Sequence, residues 1–143
     1  MRPIKWDRGK LLLLDQRALP ETFDHFICES SSRVYEAIKK MVVRGAPAIG
    51  VAAAYGLVLA AKEAGSKPLA DRKQYIIKRA EFLKSARPTA INLSWSLDLL
   101  LDLIRTLDAE SLTTELEKAA LRLDSQDYAS NVRMGEMGSM LFE

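Results

Sequence analysis

The stretch from Ala46 to Ala61 contains no charged residue, and it follows directly on Val43-Arg44-Gly45 with a proline, Pro47, at its head. Proline fits the first turn of a helix because its missing N–H needs no partner there, so a helix is predicted to start at Ala46. A helix that is apolar all round has to be buried on most sides. Ala46, Gly50 and Ala54 fall on one stripe and Ala53, Gly56 and Ala60 on another, which lets neighbouring backbones approach closely. The chain is therefore organised around a central helix, and Lys62-Glu63, Gly65 and Pro68 bring it to a stop.

Arg44 stands just before that helix, where the dipole is positive and a cation is disfavoured by ~0.3–1 kcal/mol. Helix stability does not account for it. The free N–H groups of Gly45, Ala46 and Ala48 beside one guanidinium would make an anion site, most naturally for phosphate. Pairing with a carboxylate, or simple solvation, is the other reading that residue type allows. Arg87 recurs in the same context, in the loop Ser85-Ala86-Arg87-Pro88-Thr89-Ala90-Ile91-Asn92 ahead of another helix. Whether the two arginines converge on one anion or stay solvated separately is not legible from spacing.

Around the central helix the chain reads as α+β, a small antiparallel sheet followed by a bundle of about five helices. Ile4-Lys5-Trp6 and Lys10 to Asp15 are predicted strands across the turn-like Asp7-Arg8-Gly9, although Leu11 to Leu14 would also suit a buried helix end; Phe23 to Cys28 is a third strand. Ser30-Ser31-Ser32 offers N-cap hydroxyls to a helix whose Val34, Ile38 and Met41 share a face, ending near Val43 and Gly45. Asp71 is the expected cap of the next helix, with Ile76, Ala80 and Leu83 inward and Arg72, Lys73, Lys78, Arg79 and Lys84 on a solvated face. Arg87-Pro88 closes it. Asn92 is the expected cap of a helix with Leu93, Leu97, Leu100, Leu101, Ile104 and Leu107 on one side. Thr114-x-x-Glu117 has capping-box spacing for the last helix, which carries Leu116, Ala119, Ala120, Leu123, Met134 and Leu141 and meets no Gly or Pro stop after Leu141.

Composition narrows the function by exclusion. A net charge of +2, with basic residues scattered, gives no nucleic-acid footprint. The longest uncharged run falls short of the ~18 residues of a membrane span, and no signal-peptide order opens the chain. A single cysteine, Cys28, excludes an internal disulfide and makes a cytoplasmic setting the default expectation. His25 is the only histidine, flanked by Asp24 and Phe26 with no partner in sequence, and Cys28 has no neighbouring base; both read as structural or exposed. Gly45-x4-Gly50 lacks the Lys-Ser/Thr ending of a P-loop, and Gly135-x2-Gly138 suits helix approach better than phosphate. No triad, metal set or cofactor motif appears, so no catalytic residue is assigned within the chain.

The run Met41-Val42-Val43-Arg44-Gly45-Ala46-Pro47-Ala48-Ile49-Gly50-Val51-Ala52-Ala53-Ala54-Tyr55-Gly56 resembles the S-methyl-5-thioribose-1-phosphate isomerase family, aldose–ketose isomerases of methionine salvage. Leu14-Asp15-Gln16-Arg17-Ala18-Leu19-Pro20 and Arg87-Pro88-Thr89-Ala90-Ile91-Asn92-Leu93 agree in order and spacing. The resemblance implies substrate phosphate binding by Arg44, Gly45, Ala46 and Arg87, without a metal or cofactor. It covers essentially the whole chain but only the first part of a family member, so the chain is expected to be the N-terminal domain, 1–143, of a longer protein. The family's catalytic cysteine and aspartate lie in a following Rossmann-like domain, and Cys28 does not match that cysteine. A homodimer is implied as well. The superfamily also contains ribose-1,5-bisphosphate isomerases and the regulatory subunits of the translation factor eIF2B; the uninterrupted Arg-Gly-Ala-Pro-Ala-Ile-Gly favours the methylthioribose enzyme.

Overall fold

The computed structural model describes residues 2–142. Three strands, β1 (Ile4–Asp7), β2 (Lys10–Leu14) and β3 (His25–Cys28), form an antiparallel sheet in the order β1-β2-β3. Ile4 lies opposite Leu13, and Leu11 opposite Cys28, so these four apolar side chains meet on the covered face. The expected third strand is shorter than its sequence suggests, because Phe23 and Asp24 precede it; Asp24 gives only its carbonyl, to the amide of Asp15 (2.8 Å).

Five helices follow: α1 (Ser31–Lys39), α2 (Ala46–Ala64), α3 (Leu69–Lys84), α4 (Ile91–Thr106) and α5 (Leu112–Ser139). The α+β architecture expected from sequence is the one observed. Helix α2 is the central element, buried without a break from Ile49 to Ala61 and packed against each of the other four helices and the sheet. By length and composition it is apolar enough to cross a bilayer, contrary to the sequence expectation, yet 72% of its most apolar window is buried within the protein.

The small residues of α2 act where the helix packing is closest. A Cβ added at Gly50 would lie 2.9 Å from the backbone oxygen of Asn92 on α4. One at Gly56 would lie 2.9 Å from Val34 on α1. The glycines of α5 behave differently: Gly135 and Gly138 face open space, so no helix approaches them as sequence suggested.

The N-terminal caps depart from expectation in several places. Ser30 caps α1 as predicted, accepting from the Arg33 amide (3.1 Å). That helix stops earlier than its periodicity implies, since Val42 N–H donates to Ala37 C=O and Met41 N–H to Ile38 C=O, a Schellman closure with Met41 at φ 61°. Helix α3 begins at Leu69 after Pro68, leaving Asp71 in the first turn as a favourable charge and not as the cap. Helix α4 is capped by Ala90, so Asn92 is already helical. In α5 the Thr114–Glu117 box does not form. The helix starts at Leu112, and Glu117 instead accepts a hydrogen bond from the Trp6 indole (2.7 Å).

That bond belongs to the cluster that seats α5 on the core. Trp6 stacks on Tyr55 of α2 at 4.9 Å, the buried Tyr55 hydroxyl donates to Asp124 of α5 (2.7 Å), and Arg2 pairs with the other Asp124 oxygen (2.8 Å). Beyond this anchor α5 leaves the core. Met134 and Leu141, expected on its inner face, are exposed. The basic residues of α3 are busier than a plain solvated face: Arg79 donates to the hydroxyls of Ser31 and Ser32, Lys84 pairs with Asp98, and Arg72 reaches the carbonyls that close α2.

Candidate anion site at the head of the central helix

The start of α2 is made of Arg44, Gly45 and Ala46, all exposed. Gly45 is the N-cap at φ 96°, a conformation that a side chain would strain, and no side chain caps the helix. Its carbonyl accepts the first helical bond, from Ile49 N–H (2.9 Å). The N–H groups of Ala46 and Ala48 thus belong to the first turn, where no intrahelical acceptor exists and the dipole is positive. Among the described residues Arg44 forms no ion pair; its Nε–H reaches only the Met41 carbonyl, at 3.4 Å.

The loop that carries Arg44 is held by the segment after β2. The amide of Gln16 donates to Val42 C=O (3.0 Å), and the Arg17 guanidinium grips Asp15 through both carboxylate oxygens (2.9 and 2.7 Å). The Arg17 hydrogen bonds hold the Asp15 carboxyl below the usual carboxylate range, and the charge of Arg44 nearby adds to the effect. Asp15 is therefore ionised at neutral pH and committed to Arg17. The peptide bond before Pro20 is cis.

Arg87 is half-buried in the loop between α3 and α4, without an ion pair among the described residues. The helices that the two arginines precede, α2 and α4, pack side by side near their starts. Gly50 meets Asn92, and the buried Ser96 hydroxyl donates to the Gly50 carbonyl (2.9 Å). All three sequence motifs thus adjoin the head of α2.

Beside those two first turns lies a pocket of about 210 Å³. Its walls come from three helices, with Pro47 and Val51 on α2, Asn92 and Trp95 on α4, and Leu123 and Asp127 on α5. Sequence reasoning did not single out this pocket. Asp127 is pushed above the ordinary aspartate range by its burial and then by the Asp124 carboxylate beside it.

The two residues with conventional acid, base or nucleophile chemistry stand elsewhere. His25 is exposed at the start of β3, paired across the sheet with Leu14. Cys28 is fully buried on the covered side of the sheet, and that burial pushes its thiol up to about 12. Since the thiolate is the reactive form, Cys28 is expected to resist an aromatic disulfide reagent at pH 8 in the folded chain and to react promptly in denaturant. Fast labelling of the native chain, followed by absorbance, would contradict this placement.

The architecture is thus a helical domain fronted by a small sheet, with the uncapped head of α2 close to a pocket walled by three helices. The chain belongs to the initiation factor 2 subunit family, whose sequence profile matches residues 42–143. It is 44% identical over 141 residues to the methylthioribose-1-phosphate isomerase of Alkalilimnicola ehrlichii, spanning 99% of this chain and 40% of that protein. The crystal structure of 5-methylthioribose 1-phosphate isomerase from Pyrococcus horikoshii OT3 superposes with a TM-score of 0.91 at 33% identity, over 97% of this chain and 40% of that one. Translation initiation factor eIF-2B, subunit delta, from A. fulgidus does so with 0.90 at 38% identity, over 99% and 42%. The chain spans about two fifths of the length of these relatives.

Proposed function

We propose that this chain is the N-terminal, phosphate-holding part of an aldose–ketose isomerase that converts 5-methylthioribose 1-phosphate into 5-methylthioribulose 1-phosphate in methionine salvage. The observation that carries the proposal is the head of α2, where Arg44 forms no ion pair among the described residues and the glycine cap at φ 96° leaves first-turn N–H groups open. Phosphate oxygens would accept from the N–H groups of Gly45 and Ala46, and the guanidiniums of Arg44 and Arg87 would close on them at ~2.8 Å. A guanidinium offers N–H donors and no acceptor, so the two arginines suit binding and orienting a phosphate.

The proton transfer itself is assigned to a second, Rossmann-like domain of the same polypeptide, by the resemblance to the isomerases. The chemistry of this chain supports that division. Cys28 is buried with a raised pKa, and Asp15 is tied to Arg17. The full protein is read as a cytoplasmic homodimer with no nucleic-acid or membrane partner.

The test is a titration of the ¹⁵N-labelled chain with inorganic phosphate, followed by amide chemical shifts. Gly45, Ala46 and Ala48 are expected to shift together, and Arg44→Ala should weaken the response about tenfold or more, as removal of one charge-assisted partner implies. A second reading, a regulatory subunit domain without a substrate, is favoured by the likeness to the eIF-2B subunit. On that reading the titration is flat at these amides.

A further inference from the structure

We infer that the pocket walled by α2, α4 and α5 is a binding site for a small primary alkylammonium group, with Asp127 as its counter-charge and the Trp95 indole as its aromatic wall. Neither Arg44 nor Arg87 takes part, so the site stands or falls apart from the phosphate reading.

Charge is the first support. Asp127 is half-buried at the pocket wall, and among the described residues no cation pairs with it and no side chain donates a hydrogen bond to it. The charged groups around it are Asp124, one turn back on α5, and Arg2 ahead of β1. The Arg2 guanidinium is committed to Asp124 at 2.8 Å and to the Tyr128 ring, 4.6 Å from its centroid. Helices α2 and α4 bring no charged side chain to the pocket. The Asp127 carboxyl is accordingly held above the ordinary aspartate range, first by burial and then by Asp124. The fold leaves one negative charge uncompensated, and a bound cation would offset both effects.

The chemistry of the walls is the second. Trp95, 57% exposed, lines the same pocket as Asp127, and an indole face is the best aromatic partner for an ammonium. Gln126 and Ser130 line it from α5 and Asn92 from α4, so the three N–H donors of a primary ammonium have carboxylate, amide and hydroxyl oxygens to reach. A quaternary ammonium would leave those oxygens without a donor. Val51 and Leu123 supply an aliphatic wall for a short methylene stem.

Size is the third. At about 210 Å³ the pocket falls below the ~300–1,000 Å³ of sites for drug-sized ligands, so it admits the head and stem of a small amine or of a lysine side chain and not a cofactor.

The experiment titrates the ¹⁵N-labelled chain at neutral pH with n-butylamine, with 1-butanol as its uncharged counterpart, and with Nα-acetyl-lysine methylamide, which carries the same head and stem on a peptide unit. Butylamine is protonated there, as a lysine side chain is with its pKa of about 10.4. It is expected to shift the Trp95 indole N–H and the amides of residues 126–130, with 1-butanol weaker by about tenfold or more. A response to the lysine compound as strong as that to butylamine assigns the site to a lysine side chain of a protein; a response to butylamine alone assigns it to a free amine. Asp127→Asn should weaken butylamine about tenfold while leaving the urea midpoint unchanged or higher, since it removes an uncompensated charge. Trp95→Ala should weaken it about two- to fivefold. Binding favours the ionised carboxylate, so affinity is full at neutral pH and falls as pH drops through the raised Asp127 pKa, while the amine stays charged throughout. Equal affinity for butylamine and 1-butanol, butylamine binding that Asp127→Asn leaves untouched, or no shift with butylamine at all would each overturn the inference, and none of them bears on the phosphate response at Gly45 and Ala46.

Discussion

Gly50→Leu is expected to destabilise the chain by at least the upper end of the ~1–3 kcal/mol that overpacking costs. The reason is what the new side chain would meet. Its Cβ alone would lie 2.9 Å from the Asn92 backbone oxygen and 3.4 Å from the Ser96 hydroxyl oxygen. A flexible side chain could swing aside, but a helix backbone has to move as a unit, and moving α4 breaks the Ser96 hydroxyl bond to the Gly50 carbonyl as well. Lys62→Ala, on the exposed end of the same helix, removes one solvated bond to the Gly9 carbonyl and should stay within ~0.5 kcal/mol. Urea midpoints of the two variants measure the difference. Equal midpoints would mean that α2 and α4 are not in close contact at their heads, and with that the common setting of Arg44 and Arg87 would be lost.

The central helix was legible because its signal is redundant: proline at its head, no charge through Ala61 and small residues at helical spacing all point one way. The strands were legible too, within a residue or two at each end. Helix caps were the weakest part. Asp71, Asn92 and Thr114 have the right chemistry for N-caps, but in each case the chain enters the helix two or three residues earlier. Local propensity lost there to contacts far away in sequence, as with Glu117, which Trp6 claims across the fold. Met134 and Leu141 misled for a different reason, since an apolar residue in helical register says nothing about whether a partner surface is present.

The candidate site was half legible. Arg44 stands out because it opposes the helix dipole beside the N–H groups of Gly45, Ala46 and Ala48, Arg87 recurs ahead of another helix, and the family resemblance joins Arg44, Gly45, Ala46 and Arg87 into one expected phosphate site. What no spacing could show is that residues 14–20 touch the loop 41–46 and that the end of the loop 85–92 lies against α2. That adjacency follows from Gly50 against Asn92 and from the Gln16 amide on the Val42 carbonyl. The Trp95 pocket was hidden for the same reason, being built from one face each of three helices.

The isolated chain is expected to show no turnover of methylthioribose 1-phosphate. Shifting a proton between adjacent sugar carbons needs an acid or base within hydrogen-bond reach of the reacting atoms, which supplies ~10²–10⁴-fold. Arg44 and Arg87 do not suit the task, because a guanidinium carries N–H donors and no acceptor for the proton. Asp127, the one carboxyl lining the pocket, stands on α5 and not in the loops that carry Arg44 and Arg87. Mixing the chain with a separately expressed second domain that carries the cysteine and aspartate expected from the family resemblance should restore isomerisation, because on the proposed reading that domain would supply the proton-transfer groups. In the mixture, Arg44→Ala should lower kcat/KM by roughly 30- to 10³-fold, the ~2–4 kcal/mol that loss of one partner of a desolvated charge pair costs. Turnover by the isolated chain, read by a coupled assay for the ketose product, would defeat this division of labour. Turnover in the mixture that Arg44→Ala leaves untouched would place the phosphate somewhere other than the head of α2.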